Sequence, residues 1–234
     1  TGVQTCALPI SFGTPAKGKQ PQPHRARART PTIDSVSAAP SVVQRACSGS
    51  GHAYVPASAM LILHDPRCSS YGSSMRPEQP ARVTRSATHL RAAHPDWTWR
   101  EPDPADADDA ALLAAHSATH LRRLAQARDF DADTPFFDAI GDHARRAVAA
   151  AVGAARHVLS APSAGPAFSL MRPPGHHATA DRAMGFCYLN QIAVTALFAQ
   201  AKLGARRVAV WDFDAHHGNG TEAILLGREG MLFT

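Results

Sequence analysis

The run from Arg207 to Phe213, continued by Asp214-Ala-His-His-Gly-Asn-Gly-Thr221, constrains this chain more than any other feature. Val208-Ala-Val-Trp-Asp-Phe is a short apolar segment of the kind buried in parallel sheets. Side chains alternate along a strand, so Asp212 and Asp214 leave it on one side. His216 follows two residues later, in the turn. A carboxylate and an imidazole converging at a strand end suit a zinc ion. Gly218 and Gly220 read as residues that let the backbone turn tightly and open a helix. The plain alternative has the acids capping that helix and the histidines lying in a loop. It fits a lone Asp-x-Asp better than it fits this whole pattern.

Further segments build a frame around this one. Met60 to His64 is a short apolar run, read as a buried strand. Asp65 to Pro80 reads as loop, broken by Pro66, Gly72, Pro77 and Pro80. Helices are expected over Ala81–His94, Asp106–Arg128, Thr134–Ser160 and Tyr188–Lys202. A brief strand is expected at Ala167–Leu170. Another helix starts at Thr221–Leu226 and another strand at Met231–Thr234. Strands alternating with helices predict an α/β fold: three layers, α/β/α, around a mostly parallel sheet. Ligands of such sheets sit beyond the carboxyl ends of the strands. Two chemically loaded segments occupy that position here, after Leu170 and after Val210.

The segment after Leu170 is Met171-Arg-Pro-Pro-Gly-His-His-Ala178. Two prolines stiffen the backbone and Gly175 permits a sharp turn, so His176 and His177 are held side by side. Histidine titrates near neutral pH and suits proton transfer. A third segment, Met184-Gly-Phe-Cys-Tyr-Leu-Asn190, is open to two readings. Gly185 and Phe186 either form a wall beside the site, fit for an aliphatic substrate chain, or are core packing at a helix start.

Composition narrows the partners. The chain has 234 residues and a formal net charge of +5. Residues 1–58 hold six basic residues against Asp34 alone, which leaves 18 basic and 18 acidic residues in the remainder. The basicity is a property of a Pro-, Ser-, Ala- and Arg-rich tail that reads as disordered. The folded part is neutral, which argues against nucleic acid as its partner. The opening TGVQTCALPI resembles translated adapter sequence. Cys6, Cys47, Cys68 and Cys187 form no C-x-x-C pair, so neither a disulfide framework nor a cysteine zinc site is expected. A reducing, cytoplasmic setting is the default. No apolar stretch of about 18 residues predicts a membrane span. The domain is expected over 59–234. The chain stops at Thr234 inside what reads as a core strand, so continuation of the domain beyond that point is expected.

RPPGHHA, GFCxxN and DxDxHHGNGT, in this order, resemble the histone deacetylase and acetylpolyamine amidohydrolase family. The Asn219 form of the last motif is similar to its class II and bacterial branch. Arg76-Pro-Glu-Gln-Pro-Ala-Arg82 resembles the family's HPExPxR segment, with Arg76 in place of the usual His. His116-Ser117 and Asp133-Thr134 match weaker positions. The resemblance implies a zinc-dependent amidohydrolase, with Asp214 and His216 as two of three zinc ligands. It implies His177 as general base and later acid, with His176 giving electrostatic help. Asp212 would orient His176, and Asn219 would do the weaker equivalent for His177. Gly185 and Phe186 would line the channel for an acetylated lysine side chain or acetylated polyamine. It further implies a structural K+ on main-chain carbonyls around Asp212, Asp214 and His216. The third ligand, an aspartate, and a catalytic tyrosine would follow residue 234.

Two other readings stay in play. One is a ureohydrolase-like hydrolase with two metals. The other is a non-catalytic module that binds acetylated ligands or nucleic acid. Substrate choice and oligomeric state are not written in these motifs.

Overall fold

In the computed structural model, which describes residues 60–234, the first strand already dictates the layering. β1 (Leu61–Leu63) is buried throughout. Leu61 and Leu63 pack with Ala150 and Ala154 of α4 (Ile140–Ser160). Ile62 points the other way, into Val83 and Ala87 of α1 (Ala81–Ala93). A strand covered on both faces must be apolar along its whole length, which explains the unbroken Met60-Leu-Ile-Leu run. The architecture is the three-layer α/β/α arrangement expected from the sequence.

The strands pair only in parallel among the described residues. β2 (Thr98–Arg100) and β3 (Ala167–Ser169) flank β1, with Ile62 opposite Trp99 on one side and Phe168 on the other. β4 (Val208–Val210) and β5 (Met231–Phe233) form a second pair, with Ala209 opposite Leu232. α4 packs on β1 and β3, and α5 (Gln191–Lys202) packs on α4 and β4. α6 (Asn219–Leu225) packs on α5 and β5. The buried stretch Ala147 to Ala155 of α4 is nearly all alanine, valine and glycine. Side chains that small let α4 sit close to both the sheet and α5.

Several expectations need correction. The helix expected over Asp106–Arg128 is broken into a 3-10 turn at Pro104–Ala107, then α2 (Asp109–Leu113) and α3 (Ala118–Arg123). Asp108 and Ser117 each accept a hydrogen bond from the backbone N–H three residues on, at Ala111 and His120. Those are N-cap bonds, and each restarts the helix. The helix expected from Thr134 begins only at Ile140, after Ala139 adopts a left-handed φ of 57°. The Tyr188–Lys202 helix likewise begins at Gln191, capped by Asn190. The Asp65–Pro80 loop contains a 3-10 turn at Pro66–Ser69. β2 was not expected: Thr-Trp-Arg carries no apolar run, because it is a half-exposed strand with a partner on one side only. β4 ends at Val210 rather than Phe213, although the ladder continues through Asp212 N–H to Thr234 C=O at 2.8 Å. The basic tail of residues 1–58 lies outside the described residues. No helix among the described residues is long and apolar enough to cross a membrane.

Two histidines sit inside this core. His116 and His120 are each 2% exposed, with ring centroids 5.1 Å apart. Burial, together with the neighbouring His120, pulls His116 from 6.5 down to about 4. Its neutral form is therefore favoured by folding. As pH falls below 6.5 the unfolded chain takes up this proton first, so stability is fully present above about 6.5 and is lost on the way to about 4. The loss from His116 alone should be about 3 kcal/mol. Urea midpoints measured from pH 7 to pH 4 check it. His116→Phe should flatten that pH slope, and an unchanged slope would refute the assignment.

Candidate active site

The ends of β3 and β4 bring the two loaded segments together. The stretch after β4 keeps strand-like alternation: Trp211 and Phe213 are exposed, while the side chains of Asp212 and Asp214 are largely covered. Asp212 Oδ2 lies 2.9 Å from His176 Nδ1. A carboxylate only accepts, so Nδ1–H of His176 donates. Asn219 Oδ1 lies 2.7 Å from His177 Nδ1, and the same logic makes His177 the donor. Two histidines, 4.0 Å apart between ring centroids, thus hold parallel bonds to two residues of the other segment. In both rings the proton on Nδ1 leaves Nε2 as the basic nitrogen.

The environments of the two rings differ. His176 is 2% exposed, whereas His177 is half-buried. Burial lowers His177, its bond to Asn219 opposes this, and His176 and His216 lower it further, with a net shift downward. Burial alone would raise Asp212, but its bonds from His176 and from the Asp214 N–H hold it below the usual carboxylate value. Asp212 is therefore a fixed negative charge behind His176.

Asp214 and His216 form the third pair. Asp214 Oδ1 accepts from the His216 N–H at 2.8 Å and lies 3.0 Å from His216 Nδ1. Two donors on one tetrahedral zinc, each about 2.0–2.1 Å from it, lie about 3.3 Å apart. The pair offers donor types that suit zinc, with the two atoms in mutual hydrogen-bond contact here. Among the described residues, no group of three His, Cys, Asp or Glu side chains converges as a complete metal cage. Catalytic zinc normally takes three protein ligands.

The glycines do more than turn the chain: Gly218 and Gly220 open α6 as expected, and the Gly175 carbonyl accepts from the Ala178 N–H in a turn. Gly218 and Gly220 are not in the left-handed region. A Cβ on Gly218 would lie 2.3 Å from Asp212 Oδ2 and 3.3 Å from His176 Nδ1. A Cβ on Gly220 would lie 2.3 Å from the Ala178 carbonyl oxygen. Both positions are empty so that the two loops can touch. Gly175 is similar, with Gln191 Oε1 and the Leu189 carbonyl in the way of a Cβ. Gly185 does turn, with φ of 57°, and it also lies flat against His177, whose Cδ2 would be 2.5 Å from a Cβ. Phe186 follows with φ of 65°, a conformation that costs a non-glycine residue about 1–3 kcal/mol. Its N–H donates to Thr134 Oγ1 at 3.2 Å, and the Met184–Cys187 backbone pair closes the turn. Gly185 thus lies against His177, and Phe186 is its neighbour in the turn.

Sequence reasoning gave no partner to Arg172. Its side chain is buried against Glu78, donating from Nε at 2.5 Å and from Nη2 at 2.7 Å to the two carboxylate oxygens. Nη1 donates to the carbonyls of Cys68 and Tyr71. Both charged residues stand in quoted motifs, but nothing in those motifs pairs positions 94 residues apart. His217 stands apart from His216, exposed and bonded to Glu222 at 2.9 Å.

Against this geometry, the sequence profile described as histone deacetylase domain matches residues 76–234. The chain belongs to the histone deacetylase family. A histone deacetylase-like amidohydrolase of Pseudomonas aeruginosa is 42% identical over 138 residues, covering 57% of this chain and 36% of that protein. A probable deacetylase of Methanothermobacter thermautotrophicus is 36% identical over 179 residues, covering 74% of this chain and 53% of its own length. The solved HD domain of HDA15 superposes with a TM-score of 0.69 at 29% identity, covering 75% of this chain and 53% of that one. The chain spans about half the length of the curated relatives it matches, or less.

Proposed function

We propose that these residues form the proton-handling and metal-anchoring half of a zinc-dependent site that hydrolyses the acetyl amide of acetyl-lysine or an acetylated amine. The observation that carries this reading is the set of three parallel pairs, His176–Asp212, His177–Asn219 and Asp214–His216, on two adjoining loops. Zinc held by Asp214 and His216 would supply Lewis acidity toward the amide carbonyl and toward water. His177 Nε2 accepts the proton of the attacking water, because its Nδ1–H is committed to Asn219. The protonated ring then returns that proton to the departing amine. His176, buried and backed by the Asp212 carboxylate, gives electrostatic help beside the developing oxyanion. Gly185, packed against His177, and Phe186 beside it would line the channel for the acyl chain. A structural K+ on the main-chain carbonyls around Asp212, Asp214 and His216 is part of the same proposal.

The test uses this chain and a version extended to the length of its relatives, each assayed on an acetyl-lysine peptide and on acetylputrescine. The extended protein should turn over one of the two, lose activity to a chelator, and recover with about one zinc per chain. The 234-residue chain should be much slower, on the general rule of three protein ligands. Recovery with two manganese ions per chain would support the ureohydrolase-like rival instead. Equal turnover by both versions would refute the proposed division of the site.

A further inference from the structure

The loop that carries His176 and His177 has its backbone carbonyls taken from behind. The His176 carbonyl accepts from the N–H groups of Gly220 and Thr221, at 2.9 and 3.0 Å. The Ala178 carbonyl accepts from Asn190 Nδ2 at 3.0 Å. The Thr179 carbonyl lies 3.0 Å from His116 Nδ1, and the Ala180 carbonyl accepts from the Ser117 N–H at 2.9 Å. His116 does one thing more: its Nε2 receives the Asn190 N–H at 2.9 Å. A carbonyl only accepts and a backbone N–H only donates, so these two bonds fix the neutral tautomer with the proton on Nδ1. Asn190 in turn caps α5 through Oδ1 to the Ala193 N–H and reaches Thr221 Oγ1 at 3.1 Å on α6. One imidazole thereby ties the paired-histidine loop to the start of α5, and through Asn190 to the helix that begins at Asn219.

We propose that His116 is a positioning residue, a two-sided clamp that keeps His176 and His177 in register with Asp212 and Asn219. It touches neither ring pair directly and acts through Thr179 and Asn190. Its ring spans the gap between a carbonyl on one side and an N–H on the other. Of the neutral side chains, an imidazole offers a donor and an acceptor in opposite directions from one rigid plane. An apolar residue of similar size would leave both backbone groups buried and unpaired. The consequence for rate rests on the deacetylase reading, but the clamp itself does not.

The test is long-range proton–nitrogen NMR of the imidazoles in the 15N-labelled 234-residue chain at pH 7.5. In the unmodified chain, His116, His176 and His177 should each carry the proton on Nδ1. His116→Leu should broaden or mix the tautomer signals of His176 and His177 while the amides of α1 and β2 keep their positions. His116→Asn, which retains a donor toward Thr179, should restore part of the unmodified spectrum. His116→Leu with unchanged His176 and His177 tautomers would overturn the clamp, and so would an Nε2–H tautomer at His116 in the unmodified chain. The second outcome needs no variant, so it decides the matter even where His116→Leu does not fold. A failed deacetylase assay with intact coupling would count against the proposed function and leave the clamp standing.

Discussion

Glu78→Gln should lower the unfolding free energy by about 3–5 kcal/mol, read as a fall in urea midpoint with the slope unchanged. Arg172 is 1% exposed, so the guanidinium has no water to turn to when its carboxylate is lost. Gln offers one oxygen and no charge where two oxygens now meet Nε and Nη2. Arg82 lies 3.9 Å from the same carboxylate, so the variant also removes the charge facing a second cation. Gly72 prevents easy escape: its Cα faces Arg172 so closely that a Cβ there would be 2.9 Å from Nη2. The double variant Glu78→Leu with Arg172→Met should be less destabilised than the two single losses added together, because it removes both buried charges at once. Arg172 stands four residues before His176, so Glu78→Gln should also disturb the paired-histidine signals. A drop below about 1 kcal/mol would show that the pair is relieved by relaxation that this packing does not allow.

Why the sequence revealed the site so much better than its supports follows from distance along the chain. Asp212, Asp214, His216, Gly218 and Asn219 fall within eight residues, so alternation and turn chemistry sufficed to group them. The match of His176 to Asp212 and of His177 to Asn219 spans 36 and 42 residues, and came from family resemblance rather than from periodicity. Glu78 and Arg172 are farther apart still, and a charged residue in a Pro-rich loop reads as solvated until its burial is seen. Gly218 and Gly220 open a helix as their sequence implies, but their sequence does not show why glycine is required. Freedom of φ is a local property, whereas at Gly218 and Gly220 the requirement is the nearness of another loop. The overlong helix at Asp106–Arg128 failed for the opposite reason. There the local capping bonds of Asp108 and Ser117 divide a segment that reads as one helix.

His177→Ala, in a chain extended to the length of its relatives, should reduce kcat by about 10²–10⁴-fold with little change in KM. On the proposed function this ring, rather than its neighbour, is the one that exchanges protons with substrate. His177 is half-buried, edges toward His216 with centroids 6.1 Å apart, and lies against Gly185. His176 is sealed, with Asp212 at its Nδ1. A sealed ring paired with a carboxylate suits electrostatic support, and a ring at the edge suits proton transfer. His176→Ala should therefore also lower kcat, but by a smaller factor, and Asp212→Asn should resemble His176→Ala more than His177→Ala. Asn219→Leu should mimic a mild His177 defect, because the ring would lose the acceptor that fixes its tautomer. Single-turnover assays on an acetyl-lysine peptide separate these from defects in product release. A deeper loss from His176→Ala than from His177→Ala would reverse the assignment and make the sealed ring the base.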